Sequence, residues 1–155
     1  VRHAEASWNY NVDDYDRSLN ENGIEEATEM GAQLSHINFF PDLIISSGAK
    51  RALMTAKIVS GALKYKEENI RINSNIYRSS CDNMIDIIKD IPNNSDKLMI
   101  TGHNPTFHNL SQLLSDEKIY KFSTCSMFCI EFDINEWRSL KKGRKKFMIY
   151  PSMYK

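Results

Sequence analysis

The sequence has few cysteines, no net charge and no long apolar run, and each scarcity excludes a class of protein. Its three cysteines, Cys81, Cys125 and Cys129, are too few and odd in number for a disulfide framework, which fits a reducing cytoplasm. No second ligand pair at metal spacing accompanies them, so we expect no bound metal. Twenty basic residues balance twenty acidic ones, and no stretch resembles a membrane span or signal peptide. We therefore expect a cytoplasmic protein with neither nucleic acid nor membrane as partner.

Short apolar runs alternate with helical patterns along the 155 residues, of which 41% are hydrophobic. Runs at 43–45 and 98–100 predict buried strands, and a further strand is expected over 70–76. Strands at 127–132 and 147–150 are expected to pair antiparallel, with the basic run 141–146 in a solvated connection. Strands that alternate with helices predict a single α/β domain over 1–155, with three α/β/α layers and a mostly parallel sheet. Because the chain starts where a first strand should be ending, we expect part of that strand to be missing from the sequence.

Three motifs stand where an apolar run ends and a helical pattern begins. The first is Arg2-His3, the second spans 46–51 and ends in Arg51, and the third contains His103 within 102–105. Carboxyl ends of parallel strands meet at one edge of a sheet, where ligands bind. Guanidinium groups match phosphate oxygens in pairs. The motifs therefore predict a cationic pocket for a phosphoryl group.

An imidazole in this pocket has the chemistry of a nucleophile. A neutral ring attacks phosphorus through one nitrogen when the other is held as a donor, and His3 is our candidate. His103, as a cation or neutral donor, would hold a phosphoryl oxygen in the transition state. Taken alone, His3 is more typical of a core histidine, and Arg51 has the alternative of a surface helix arginine. Only the joint occurrence of the motifs favours a site. His36 and His108 match no motif and are interpreted as structural.

Together the motifs resemble those of the histidine phosphatase superfamily, which has the phosphoglycerate mutase-like fold. Arg-His, Ser-Ser-x-x-x-Arg-Ala-x-x-Thr-Ala and Gly-His-Asn-Pro occur in the family's order, and 16–23 resembles its Asp-Arg-Pro-Leu segment. The chain is most similar to SixA-type phosphohistidine phosphatases. The resemblance implies that His3 is the phosphorylated nucleophile and that Arg2, Arg51 and His103 bind phosphate without metal or organic cofactor. It also implies that Arg17 lies beside them.

One departure from the family bears on the substrate. Mutases and sugar-phosphate phosphatases of the superfamily carry an acidic proton donor after the third strand, whereas here 76–82 begins Ile-Tyr-Arg. Glu5 is a possible substitute, and the acidic residues Asp13, Asp14 and Asp16 are interpreted as a solvated loop. An alkoxide leaving group needs general acid catalysis more than an imidazole does.

The missing acid favours a histidine-phosphorylated protein, such as a phosphotransfer domain, as the substrate, and we expect a role in signal transduction. Two alternatives stay open. One is a phosphatase of the same fold that hydrolyses small phosphorylated molecules. The other is a non-catalytic module that binds phosphoryl groups.

Overall fold

A three-stranded parallel sheet forms the centre of the protein. The computed structural model describes residues 1–155, and its sheet has the order β2-β1-β3. Its strands are β1 (Leu43–Ser46), β2 (Arg71–Ile72) and β3 (Leu98–Thr101). Ser46 pairs with Thr101, so β1 and β3 end level with each other. Two further strands, β4 (Met127–Glu131) and β5 (Arg144–Ile149), form an antiparallel pair.

The first residues of the chain connect the two sheets. The Gly102 N–H donates to the Val1 carbonyl at 2.9 Å, and the His3 N–H donates to the Gly102 carbonyl at 3.0 Å. On the other side, the Arg2 N–H donates to the carbonyl of Ser126 at 3.0 Å. The segment therefore lies between the end of β3 and the start of β4, and it delivers His3 to the edge where β1 and β3 end.

Four helices cover the two faces of the sheet, as predicted. They are α1 (Glu21–His36), α2 (Lys50–Ala62), α3 (Cys81–Lys89) and α4 (Thr106–Ser115). Side chains alternate along β1, so Ile44 packs in the core formed by α1 and α2, whereas Leu43 and Ile45 pack in the core formed by α3 and α4. This confirms the three-layer α/β/α architecture. None of the helices is long and apolar enough to cross a membrane.

The predicted strand over 70–76 is wrong for most of its length. Only Arg71–Ile72 is strand, and a 3-10 turn follows over Ser74–Ile76. The side-chain oxygen of Asn73 accepts the Asn75 N–H at 2.9 Å, a local bond that competes with the strand ladder. The predicted antiparallel pair is confirmed, although β5 begins at Arg144 and so includes part of the basic run as exposed strand.

Replacing either of two helical glycines by alanine is expected to change the free energy of unfolding, in opposite directions. A Cβ at Gly23 in α1 would meet the backbone oxygen of Glu5 at 2.0 Å, whereas one at Gly61 in α2 would meet nothing within 4 Å. We expect Gly23→Ala to lower the free energy of unfolding by about 1–3 kcal/mol because backbone must shift. Gly61→Ala should raise it by about 0.5–1 kcal/mol because alanine loses less backbone entropy. Denaturant titration measures both, and shifts in the same direction would contradict the described packing of α1.

Candidate active site

Three side chains from separate motifs meet at the edge of the sheet. The Arg51 Nε–H donates to His3 Nε2 at 3.3 Å, and the rings of His3 and His103 lie 5.4 Å apart between centroids. His3 ends the first segment, Arg51 lies in the first turn of α2 and His103 follows β3. The level ends of the parallel strands bring them together: Arg51 and His103 follow β1 and β3 by five and two residues, and His3 follows the parallel bridge from Arg2 to Gly102.

His3 is held with one nitrogen as donor and the other as acceptor. Its Nδ1 lies 2.7 Å from the carbonyl oxygen of Ala4, which only accepts, so the proton is assigned to Nδ1. The lone pair of Nε2 then accepts from Arg51. Burial, opposed by the bond to Ala4 and helped by the charge of Arg51, lowers the pKa of His3 to about 4. The ring is thus a neutral imidazole at neutral pH with its Nε2 lone pair in the pocket.

His103 is neutral for similar reasons. Burial, together with the nearby His3 and Arg51, lowers its pKa to about 3. Its Nε2 lies 2.8 Å from the hydroxyl oxygen of Ser47, while its Nδ1 is buried with no hydrogen-bond partner. Ser47 follows β1 directly, and nothing in its motif indicated a contact with His103.

Thr55 connects His3 to Arg51 through the backbone. Its hydroxyl accepts the N–H of Ala4 at 2.9 Å and donates to the carbonyl of Arg51 at 2.7 Å. Thr55 is fully buried, and Arg51 is 7% exposed. The two motifs are therefore fixed relative to each other by one hydroxyl group, which explains why a threonine suits this position of α2.

Arg2 is anchored at the back of the site. Its Nη1 donates to the Phe122 carbonyl at 2.9 Å, and its Nε is buried without a partner. Its charge contributes to the lowered pKa of both His3 and His103. The structure thus places Arg2 close enough to act on both rings, with its bonds directed to the backbone.

Arg17 reaches the site from the loop that precedes α1. Its Nη1 donates to Asp14 Oδ1 at 2.9 Å and its Nε to the Ser7 carbonyl at 3.0 Å. Asp14 also accepts from Arg51 Nη2 at 3.0 Å and from the Tyr77 hydroxyl at 2.6 Å. Interpreting the acidic loop as merely solvated was wrong for Asp14. Its spacing of three residues from Arg17 was a signal for an ion pair, whereas the sequence contained no signal for Tyr77.

Glu5 lies apart from these side chains. Its carboxylate accepts from Asn20 at 2.9 Å and from Asn22 at 2.5 Å, both at the start of α1. These bonds, led by that from Asn20, hold the pKa of Glu5 below its usual value. The carboxylate is therefore ionised at neutral pH and secures the entry to α1, a poor arrangement for a proton donor.

The remaining histidines and the thiols contribute nothing to the pocket. His108 bonds to the Ile119 carbonyl at 2.6 Å, and His36 is exposed near the end of α1. All three cysteines are free, and no three His, Cys, Asp or Glu side chains are grouped to hold a metal ion. What the site offers is positive charge from Arg2, Arg17 and Arg51 around two neutral imidazoles, an arrangement that binds a tetrahedral oxyanion.

We expect His3 and His103 to stay neutral until the pH falls well below 6. Folding lowers their pKa values to about 4 and about 3, from about 6.5 in an unfolded chain. The unfolded state therefore binds more protons between these values, and stability falls as the pH drops through this window. Ring resonances in NMR titrations measure the effect, with the urea-unfolded protein as control. A midpoint at or above about 6.5 for either ring would contradict the described burial.

The family model of the histidine phosphatase superfamily (branch 1) matches residues 1–75 of the chain. This range contains the Arg2-His3 motif and Arg51. An uncharacterized chloroplastic protein of Arabidopsis thaliana is 28% identical over 147 residues, which covers 88% of this chain. The chain spans 66% of the length of that relative.

Solved structures match over nearly the whole chain. A structure named SixA, from Agrobacterium tumefaciens, has a TM-score of 0.84 and 25% identity, covering 97% of this chain and 94% of that one. A structure of SixA in complex with tungstate has a TM-score of 0.86 and 19% identity, covering 99% of this chain and 96% of that one. Fold, motifs and family model agree: residues 1–75 match the histidine phosphatase superfamily, and the whole chain resembles SixA-type structures in fold.

Proposed function

We propose that the protein removes phosphate from phosphohistidine on other proteins, through a covalent phosphohistidine at His3. The observation that carries the proposal is the orientation of the His3 ring. The Ala4 carbonyl accepts the Nδ1 proton at 2.7 Å, so Nε2 keeps a lone pair, which accepts from Arg51 Nε–H at 3.3 Å in the cationic pocket. A neutral, oriented imidazole is the nucleophile that this reaction needs.

The reaction has two steps that balance without a metal or an organic cofactor. His3 Nε2 attacks phosphorus, an N–P bond forms there, and the N–P bond of the substrate breaks. The substrate imidazole leaves as a neutral ring when its other nitrogen carries a proton. Water then attacks the phosphoryl group, His3 is regenerated and inorganic phosphate departs. Arg2, Arg17, Arg51 and His103 are proposed to hold the phosphoryl oxygens, which gain charge in both transition states.

The protonation states of the nearby acids support an imidazole leaving group. The Tyr77 hydroxyl, together with Arg17 and Arg51, holds the pKa of Asp14 far below its usual value. Bonds from Asn20 and Asn22 lower the pKa of Glu5. Neither carboxyl group carries a proton at neutral pH. An alkyl phosphate therefore lacks the general acid that contributes about 10²–10⁴ in rate, whereas a protonated phosphohistidine needs none.

Tyr77 is the feature that favours small phosphate esters as an alternative. Burial, together with the bond to Asp14, raises its pKa above the usual value, so the hydroxyl keeps its proton at neutral pH. A phenol of such high pKa is nevertheless a weak acid catalyst. For this reason a histidine-phosphorylated protein, such as a phosphotransfer domain, remains the proposed substrate, with signalling in the cytoplasm as the proposed setting.

The covalent mechanism predicts that His3 is indispensable. His3→Ala should reduce the dephosphorylation of a phosphorylated histidine phosphotransfer domain to below a few per cent of wild type. The other neutral imidazole of the pocket, His103, is bonded to Ser47 through Nε2 and has its Nδ1 buried, so it does not replace the nucleophile. His36→Ala, which removes an exposed histidine from the end of α1, is the matched control and should leave the rate unchanged. Substantial activity of His3→Ala would contradict the proposal.

The missing acid predicts a ranking of substrates. At equal concentration, kcat/KM should be highest for a phosphohistidine protein, lower for activated aryl phosphates and lowest for alkyl phosphates. The rate on esters should fall steeply as the pKa of the leaving alcohol rises, since little proton is transferred. Glu5→Gln should lower phosphohistidine turnover by less than about tenfold. A thousandfold loss on alkyl esters alone would instead make Glu5 the donor and return small esters to the list of substrates.

Because three arginines supply the positive charge, activity should not depend on divalent cations. We expect unchanged turnover after dialysis against EDTA. A loss that one added divalent ion reverses would require a different mechanism.

A further inference from the structure

The carboxylate of Asp14 occupies the mouth of the cationic pocket. Its Oδ2 accepts from Arg51 Nη2 at 3.0 Å and from the Tyr77 hydroxyl at 2.6 Å, and its Oδ1 accepts from Arg17 Nη1 at 2.9 Å. Arg17 and Arg51 are two of the side chains proposed to hold phosphoryl oxygens. An anion that belongs to the chain itself therefore uses donors that an incoming phosphoryl group needs.

Every nitrogen of Arg51 makes a hydrogen bond while Asp14 is in place, and only the second N–H of each outer nitrogen is left. Its Nε bonds to His3 Nε2, its Nη1 to the Asp14 carbonyl at 2.6 Å and its Nη2 to the Asp14 carboxylate. A phosphorus atom in reach of His3 Nε2 lies next to this guanidinium group. An incoming phosphoryl group therefore competes with Asp14 for the outer nitrogens of Arg51, and the like charges of the two anions repel.

We propose that Asp14 is a resident substitute for the phosphoryl group, that oxyanion binding displaces it, and that its donors then pass to the phosphoryl oxygens. The Tyr77 hydroxyl is thereby assigned as a further phosphoryl-binding group. The inference deepens the proposed function, since it concerns the same pocket, but it applies to any tetrahedral oxyanion.

The position of Asp14 in the fold permits this displacement. Its side chain is 43% exposed, and the 3-10 turn Asp14–Asp16 contains no buried residue. Arg17, in contrast, is also tied to the Ser7 carbonyl at 3.0 Å, beside the backbone bond from Ser7 to Ser18 that closes the loop. The turn can therefore move outward while Arg17 stays at the pocket.

The Asp14 contacts set the size of the expected effect. At neutral pH Asp14 is an anion, because Tyr77 and the two arginines hold its pKa well below the usual range. If an oxyanion binds only the form in which Asp14 has moved out, its apparent dissociation constant equals the intrinsic constant divided by the fraction of protein in that form. Partly exposed ion pairs are modest in strength, so removing the carboxylate should tighten oxyanion binding by roughly 3- to 30-fold.

The test is the dissociation constant of tungstate, measured by calorimetry on the whole chain. We expect Asp14→Ala and Asp14→Asn to bind tungstate more tightly, and Tyr77→Phe to bind it several-fold more weakly because a donor is lost. Asp16→Ala is the matched control. It removes the same charge from the same turn, but Asp16 makes no salt bridge in the structure. The tungstate affinity of this variant should therefore stay near that of the wild type.

Several results would overturn the proposal. Unchanged or weaker binding by both Asp14 variants would make Asp14 a support for the arginines, and equal tightening by Asp16→Ala would indicate a general charge effect. Unchanged binding by Tyr77→Phe would remove Tyr77 from the phosphoryl-binding groups.

A measurement on the wild-type protein covers the case in which variants fail to fold. Saturating tungstate should shift the backbone amide resonances of residues 13–16. If these resonances do not move, the proposed displacement of Asp14 is wrong. Because tungstate is the probe, these results do not depend on whether phosphohistidine is the substrate. Failure on a phosphohistidine protein, with tungstate behaving as expected, would overturn only the proposed function.

Discussion

At the end of the segment that joins the two sheets, the His3 ring bonds through Nδ1 to the neighbouring Ala4 carbonyl at 2.7 Å. This contact determines which nitrogen carries the proton and which way the other points, and the chemistry of the site depends on it. Burial together with the surrounding arginines keeps the ring neutral, since a second positive charge there would be strongly unfavourable. An imidazole that is neutral and oriented before substrate arrives needs little reorganisation when it attacks phosphorus.

The fold holds this arrangement through short connections. β1 and β3 end level, and the first segment pairs with Gly102 just beyond β3. The pocket side chains therefore stand on rigid elements, and the Thr55 hydroxyl ties the backbone of Ala4 to that of Arg51. The loop before α1 lies outside these elements. It supplies Asp14, whose half-exposed carboxylate binds Arg17 and Arg51 and is proposed to give way to a bound oxyanion.

The layers of the fold and the meeting of His3, Arg51 and His103 were predictable because they depend on regular features. Buried strands of three or four apolar residues alternate with helical spacing, and parallel strands present their carboxyl ends at one edge. The contacts of Asp14, Tyr77 and Ser47 depend instead on how irregular segments fold back over that edge. Tyr77, for example, reaches Asp14 across 63 positions, a pairing that no local pattern encodes.

The local environment of Glu5 was equally hidden in the sequence. Its distance of two positions from His3 suggested a proton donor, yet the backbone turns so that the carboxylate faces Asn20 and Asn22. Side-chain direction after a strand end is set by the segment against which the chain packs, here the start of α1. Sequence spacing therefore predicted which residues lie near the pocket better than it predicted which of them point into it.

The central claim is that His3 attacks phosphorus through Nε2. It is tested most directly by mixing the enzyme with a phosphohistidine protein, quenching in alkali and identifying the phosphorylated atom by phosphorus–proton NMR of the isolated peptide. The account predicts phosphate on Nε2 of His3. Phosphate on Nδ1 of His3, on another residue, or on no residue during turnover would contradict it.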